Sequence, residues 1–306
     1  MMEPMDASGL LVIDKPPGFT SHQVVARVRR LLGTRKVGHA GTLDPMATGV
    51  LILGVNRATR LLGYLALHDK RYLATIRLGE ATSTDDAEGE SLGGQTASGI
   101  GRDDLEAAVA PYRGRISQVP SSVSAIKVNG QRSYARVRAG EDVVLAAREV
   151  TVTRFDVLDA RQAGDWLDVD VDVECSSGTY IRALARDLGR DLGVGGHLTS
   201  LRRTRIGDFG LDLAADVDLA NFDADTPAPA LMTMATAARL SFPCLDVDAD
   251  VERDIRVGRS LDLELPGNPT GLIAIDPSDL IAGDLLALYR PDADTPGIAR
   301  PVAVLV

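Results

Sequence analysis

The sequence predicts a mixed α/β fold: a larger α+β domain with a largely antiparallel sheet and flanking helices, followed by a small β-rich domain. Three observations predict it. Residues 166–175 alternate Val169, Val171 and Val173 with Asp168, Asp170 and Asp172, the period-two pattern of a strand with one buried and one solvated face, which antiparallel sheets allow. Val24, Val25, Val28, Leu31 and Leu32 recur at helical spacing. From Leu245 onward, short apolar runs at 272–275, 285–289 and 302–306 are separated by Gly/Pro turns.

The elements follow in chain order. Residues 10–13 form a short apolar strand, ended by the turn chemistry of Asp14-Lys15-Pro16-Pro17-Gly18. Thr20 and Gln23 have capping-box spacing ahead of the first helix, and Gly33 suits its C-terminal stop. Residues 37–49 are rich in Gly and Thr and are expected to be irregular. Strand 50–55, helix 58–67 and strand 72–78 follow. A polar, Gly/Ser-rich loop is expected over 82–101 and a helix over 103–112. The 120–140 stretch is basic and mixed in pattern. Strands are expected at 150–157 and 166–175, and a helix at 179–192 with Ile181, Leu184, Leu188 and Leu192 on its apolar side. The Ala/Pro/Asp-rich segment 221–236 is the candidate linker between a domain over 1–235 and a second one over 245–306.

A chain of 306 residues with 45% hydrophobic and 25% charged residues has ordinary globular usage, which excludes a disordered, collagenous or coiled-coil chain. Two cysteines, Cys175 and Cys244, exclude a disulfide framework and a Cys-rich zinc site. The first residues lack a secretory pattern, and no window approaches 18 uninterrupted apolar residues, so the expectation is a reduced cytoplasmic protein without a membrane span. Net charge is −10, which by itself argues against a nucleic-acid partner. The average conceals an asymmetry. Residues 1–205 carry 27 basic and 25 acidic side chains, whereas 206–306 carry 6 and 18. Residues 111–140 hold six basic side chains and no acidic one. Because screening confines each charge to about a Debye length, a polyanion remains an open partner for the N-terminal two-thirds.

No GxGxxG, P-loop or GxSxG pattern occurs, and none of the histidines at 22, 39, 68 and 197 has metal-ligand spacing to another His or to Cys. Two segments stand out. Residues 38–51 place Asp44 in a Gly-rich loop that runs into a buried strand. An Asp before Pro is commonly a turn residue, but a loop anchored on a rigid strand is also where a reacting group sits, and flanking glycines permit close approach of a ligand. In Ser176-Ser177-Gly178-Thr179-Tyr180-Ile181-Arg182 a strand turns into a helix with Arg182 in its first turn; with Arg186 and Arg190 on the same row, this reads equally as a solvated basic face.

Six blocks in order, at 9–18, 38–51, 70–72, 120–127, 178–182 and 197–203, resemble the TruB family of tRNA pseudouridine synthases over nearly all of residues 9–210. The resemblance implies a sheet of the pseudouridine synthase type, a small PUA-like C-terminal domain over 245–306, and an RNA-gripping segment at about 111–140. It implies an isomerase that converts uridine 55 in the T-loop of tRNA to pseudouridine, extruding the base into a pocket, breaking the C1′–N1 bond and rejoining through C5. Asp44 matches the family's catalytic aspartate and Arg182 its paired arginine. Tyr72 matches the tyrosine stacked on the flipped base. Tyr180 and Leu201 match pocket-lining positions, and His39 the residue that fills the gap left by the base. Lys15 and Lys127 are carried over with the substrate-binding set, as structural or phosphate contacts. The resemblance implies no metal and no organic cofactor, the T-arm of tRNA as partner, no membrane, and a monomer. The cluster Asp246, Asp248, Asp250, Glu252 and Asp254 opposes phosphate contact by the C-terminal domain. Rival readings are a relative acting on another RNA, a non-catalytic tRNA-binding or folding factor, and a carboxylate glycosidase, which lacks a second matched carboxylate beside Asp44.

Overall fold

The computed structural model describes residues 7–121, 145–221, 226–276 and 283–306, together with the backbone of the short pair Lys127–Val128 and Gln131–Arg132. The main sheet contains β1 (Gly9–Lys15), β2 (Val37–Ala40), β3 (Thr48–Val55), β4 (Lys70–Leu78), β5 (Gly114–Gln118), β6 (Arg148–Ala163), β7 (Trp166–Cys175), β8 (Gly196–Ile206) and β9 (Phe209–Gly210). Its order is β1-β3-β8-β4-β7-β6-β5, with β2 also pairing to β3 and β9 to β8. Every pairing in it is antiparallel except β3 with β8, which meet in parallel at Arg202 opposite Thr48 and Arg203 opposite Gly49.

The helices are α1 (Ser21–Leu31), α2 (Leu62–Leu65), α3 (Arg102–Val109), α4 (Ile181–Asp191), α5 (Met234–Ser241) and α6 (Ala249–Arg256). The capping box of α1 forms as the spacing predicts: Gln23 N donates to Thr20 Oγ1 at 3.1 Å, and Thr20 N to Gln23 Oε1 at 2.8 Å. The alternation in β7 resolves as expected. Val169, Val171 and Val173 are buried beneath α4 with Leu184 and Leu188, while Asp168, Asp170 and Asp172 form ion pairs on the outer face with Arg77, Arg161 and Arg71 at 2.5–2.7 Å. β1 and β3 are buried on both faces, so they read as unbroken apolar runs. Leu11, Ile13, Leu51 and Leu53 pack on α1, and Leu10, Val12, Val50 and Ile52 pack on α5 and the C-terminal sheet.

That C-terminal sheet is β10 (Cys244–Val247), β11 (Leu261–Asp262), β12 (Thr270–Ala274), β13 (Leu285–Pro291) and β14 (Ile298–Val304), in the order β10-β12-β13-β14-β11. Its acidic cluster is partly neutralised in place: Asp246 pairs with Arg239, Asp250 with Arg253, Glu252 with Arg256 and Asp254 with Arg259, while Asp248 caps α6.

Four expectations need correction. Residues 37–49 are not wholly irregular, because Val37–Ala40 pairs with β3 from Val55 to Ile52, a long-range ladder that outweighs the local Gly content. The 58–67 helix is a 3₁₀ segment, Asn56–Leu61, followed by the single turn α2. The 82–101 loop opens on a small hairpin, Ala81–Thr82 with Ser91–Gly93. The candidate linker is partly structured. Met232 exchanges both backbone hydrogen bonds with Leu10 at 2.9 Å, and α5 begins at Met234 inside the core shared by β1, β3 and the C-terminal sheet.

Candidate active site

The loop between β2 and β3 carries Asp44, and three buried side chains hold it. Lys15, at the end of β1, has 0% exposure and donates from Nζ to the carbonyls of Pro16 at 3.0 Å, Phe19 at 2.7 Å and Pro45 at 3.2 Å. Ser21, the first residue of α1, accepts from Leu43 N at 2.9 Å and donates to Leu43 O at 3.1 Å. Arg203 on β8 reaches across to Val50 O at 2.8 Å, Gly41 O at 3.0 Å and Thr42 O at 3.4 Å. Fixing the loop beforehand removes the entropy that would otherwise be lost each time a reacting geometry is assembled. Gly49 makes the Arg203 contact feasible: it adopts φ +101°, and a Cβ there would lie 2.1 Å from Arg203 O.

Arg182 stands in the first turn of α4 and is 5% exposed. Its Nε is 3.0 Å from Asp44 Oδ2, and its Nη1 is 3.2 Å from Asp86 Oδ2 and donates to Thr84 O at 2.9 Å. Asp86 sits in the loop after Thr82, which is tied to β8 by Ala87 N to Leu198 O at 2.9 Å and Leu198 N to Asp85 O at 3.0 Å. Tyr180, immediately before α4, is held through its backbone by Gln118, which accepts from Tyr180 N at 2.9 Å and donates to Tyr180 O at 3.0 Å.

Asp44 keeps 37% of its side-chain surface open, facing a cavity of about 270 Å³. Tyr72, Tyr180, Arg182 and Leu201 share the lining with Lys70 and Arg203. The volume lies near the lower end for small-ligand pockets, about 300 Å³, and suits one nucleoside. Asp44 is nonetheless set deep among protein atoms, and burial pushes its pKa above the usual carboxylate range. The Arg182 guanidinium opposes that push, and the Asp86 charge adds to it. Tyr72 on β4 is buried, which pushes its pKa up, and its hydroxyl accepts from Arg203.

Five of the expected site residues, Asp44, Tyr72, Tyr180, Arg182 and Leu201, thus come together around one cavity. His39 lies on β2 outside that lining, its ring edge-on to His22 at 5.4 Å. Lys15 takes the structural one of its two expected roles, because its ammonium serves three carbonyls beneath the Asp44 loop. The Lys127 side chain lies outside the described residues. Asp86, Gln118 and the bracing role of Arg203 went unpredicted: an acidic pair in a Gly/Ser-rich loop carries no local signal that it will be buried against an arginine of α4. Among the described residues no group of three or more His, Cys, Asp or Glu is arranged to hold a metal ion, and no helix is long and apolar enough to cross a membrane.

Known proteins resemble this chain along nearly its whole length. A protein of Cutibacterium acnes called tRNA pseudouridine synthase B is 61% identical over 299 residues, covering 98% of each chain. A protein of the same name from Streptomyces griseus is 55% identical over 301 residues, covering 97% of this chain and 96% of the other. Among solved structures, the crystal structure of the archaeal box H/ACA sRNP Nop10-Cbf5 complex matches with a TM-score of 0.66 at 25% identity, over 97% of this chain and 86% of that one. A Cbf5-Nop10-Gar1 complex gives a TM-score of 0.68 at 24% identity, a likeness of fold. Residues 182–226 match the tRNA pseudouridylate synthase B C-terminal domain. Residues 29–181 match the N-terminal domain of the TruB family of pseudouridylate synthases, and with full-length relatives at 55–61% identity the chain belongs to that family.

Proposed function

We propose that the chain converts uridine 55 in the T-loop of tRNA to pseudouridine, with Asp44 as the carboxylate that acts on the sugar. The observation that carries this reading is the 3.0 Å pairing of Asp44 with Arg182 at the edge of a nucleoside-sized cavity. The target base, stacked in a folded loop, leaves the stack and enters the cavity. Tyr72 stacks on it, an interaction worth about 1–3 kcal/mol. Tyr180 and Leu201 enclose the nucleoside, and His39, outside the cavity lining, fills the space the base has left in the RNA.

A carboxylate serves this chemistry as a nucleophile toward the sugar or as a stabiliser of cationic character on it. It must be ionised to do either. Burial disfavours the charged form, and Arg182 supports it. The neutral-to-basic part of the chain meets the RNA, the T-arm being the partner, and Lys127 belongs to that contact. The enzyme acts as a cytoplasmic monomer, with residues 1–235 as the catalytic unit and 245–306 as a PUA-like module whose acidic surface adds little affinity.

Mapping pseudouridine in unmodified tRNA treated with the protein tests the assignment. Conversion at position 55 alone is the expected result. Conversion at another site, or tRNA binding without any conversion, would support the rival readings.

A further inference from the structure

Lys70, the first residue of β4, lines the same cavity, and the chemistry above gives it no part. Its ammonium donates to Ala66 O at 2.9 Å and His68 O at 2.7 Å. Arg203 lies beside it. A Cβ on Gly41 would sit 3.5 Å from Arg203 Nη1 and 3.6 Å from Lys70 Cε, so both cations converge on one backbone carbon. The hydrogen bonds that hold the pair run to neutral groups: the carbonyls of Ala66 and His68 for Lys70, and those of Gly41, Thr42 and Val50 together with the Tyr72 hydroxyl for Arg203. Asp44 and Asp86, by contrast, are engaged by Arg182. Burial, followed by the Arg203 charge, depresses the Lys70 pKa to about 8. Two buried cations held by neutral oxygens are costly unless an anion joins them.

The proposed reaction makes such an anion. When C1′–N1 breaks, both electrons stay on the base, which becomes a uracil anion with its charge spread onto O2 and O4. C5 then bonds to C1′, the C5 proton passes to water and N1 takes one up, so no net proton is consumed. Resting on the reading that Asp44 drives this cleavage, we infer that Lys70, backed by Arg203, is a catalytic residue that stabilises the departed uracil as an anion between cleavage and rejoining. The charge is in place before it is needed, on two side chains that are themselves buried.

Leaving-group dependence provides the test. A fluorine at C5 withdraws electrons and makes the base a better leaving group, which needs less help from a cation. Single-turnover cleavage of the C1′–N1 bond is measured for the full-length wild type, Lys70→Met and Lys70→Arg, on tRNA carrying uridine or 5-fluorouridine at the target; the fluorinated base has no C5 proton to lose, so its rejoined product keeps fluorine on C5 and takes up water at C6. Lys70→Met is expected to slow uridine by about 100-fold and 5-fluorouridine by less than about tenfold, tRNA binding being unchanged. Lys70→Arg is expected to keep most of both rates. Equal losses on the two bases would overturn the proposal, because a residue that only braces the turn into β4 affects both alike. Should Lys70→Met fail to fold, Lys70→Gln keeps a donor for the two carbonyls and gives the same comparison. A wild type that converts no uridine would overturn the underlying reading itself.

Discussion

Asp44 and Asp86 lie on different loops and share one guanidinium: Arg182 binds the first through Nε at 3.0 Å and the second through Nη1 at 3.2 Å. One arginine of α4 therefore fixes two loops relative to each other. Asp86 is itself buried and accepts from Thr84 Oγ1 and from Glu88 N at 3.1 Å, so it does not yield when Arg182 pulls on it.

Asp86→Asn is expected to lower the single-turnover rate by about 100-fold, because a displacement of Arg182 by an ångström at the reacting centre is enough for such a loss. Affinity for tRNA should not change, since Asp86 does not line the cavity. Tritium release from C5-labelled tRNA, beside filter binding, checks both halves.

The raised pKa of Asp44 predicts two pH effects. Activity requires the carboxylate and is lost as pH falls through the folded-state value, which burial has lifted and Arg182 restrains. In Arg182→Gln the restraint is gone, so the acid limb of the rate profile should move to higher pH. The effect on stability has the opposite dependence. The native state holds this proton more tightly than the unfolded chain, so ionising Asp44 at neutral pH costs stability, and the cost vanishes below the unfolded carboxylate value. Asp44→Asn is therefore expected to melt higher than wild type at pH 7, with the gap closing toward pH ~3. Calorimetry at the two pH values reads it directly.

Lys15 illustrates how far the residue pattern could be read. The α1 capping box and the β7 alternation depend on neighbours in sequence, and both form as expected, whereas the turn expected at Asp14-Lys15-Pro16-Pro17-Gly18 begins only after Lys15, because β1 stays paired with β3 as far as Lys15 opposite Gly49. The same local view leaves Lys15 open between a structural role and a phosphate contact. Two of the carbonyls that hold it inward, those of Pro16 and Phe19, are local, and the third, that of Pro45, lies thirty residues away. β2 and the Met232–Leu10 pairing depend on partners outside their own segments, while the hairpin holding Asp86 pairs locally, Ala81 with Gly93, within a stretch whose composition is that of a loop.

Lys15→Met should accordingly behave as a loosened scaffold. It removes three donors to carbonyls, and hydrogen bonds from charged groups are worth about 1.5–3 kcal/mol each at most. A lower urea midpoint and reduced turnover are expected, with an unchanged salt dependence of tRNA binding. A phosphate contact would instead reduce the salt slope by about one.

Gly49→Ala probes the parallel join of β3 and β8. The added methyl meets Arg203 O at 2.1 Å, and the backbone stands at φ +101°. A loss of about 3 kcal/mol or more is expected from strain plus overlap, read from urea unfolding.

The central claim is tested most directly by Asp44→Asn in the tritium-release assay with tRNA binding measured on the same preparation. Release should fall to background while tRNA still binds with near-wild-type affinity. Release within about tenfold of wild type, a loss of under about 1.4 kcal/mol in the barrier, would contradict a role for this carboxylate in breaking the glycosidic bond.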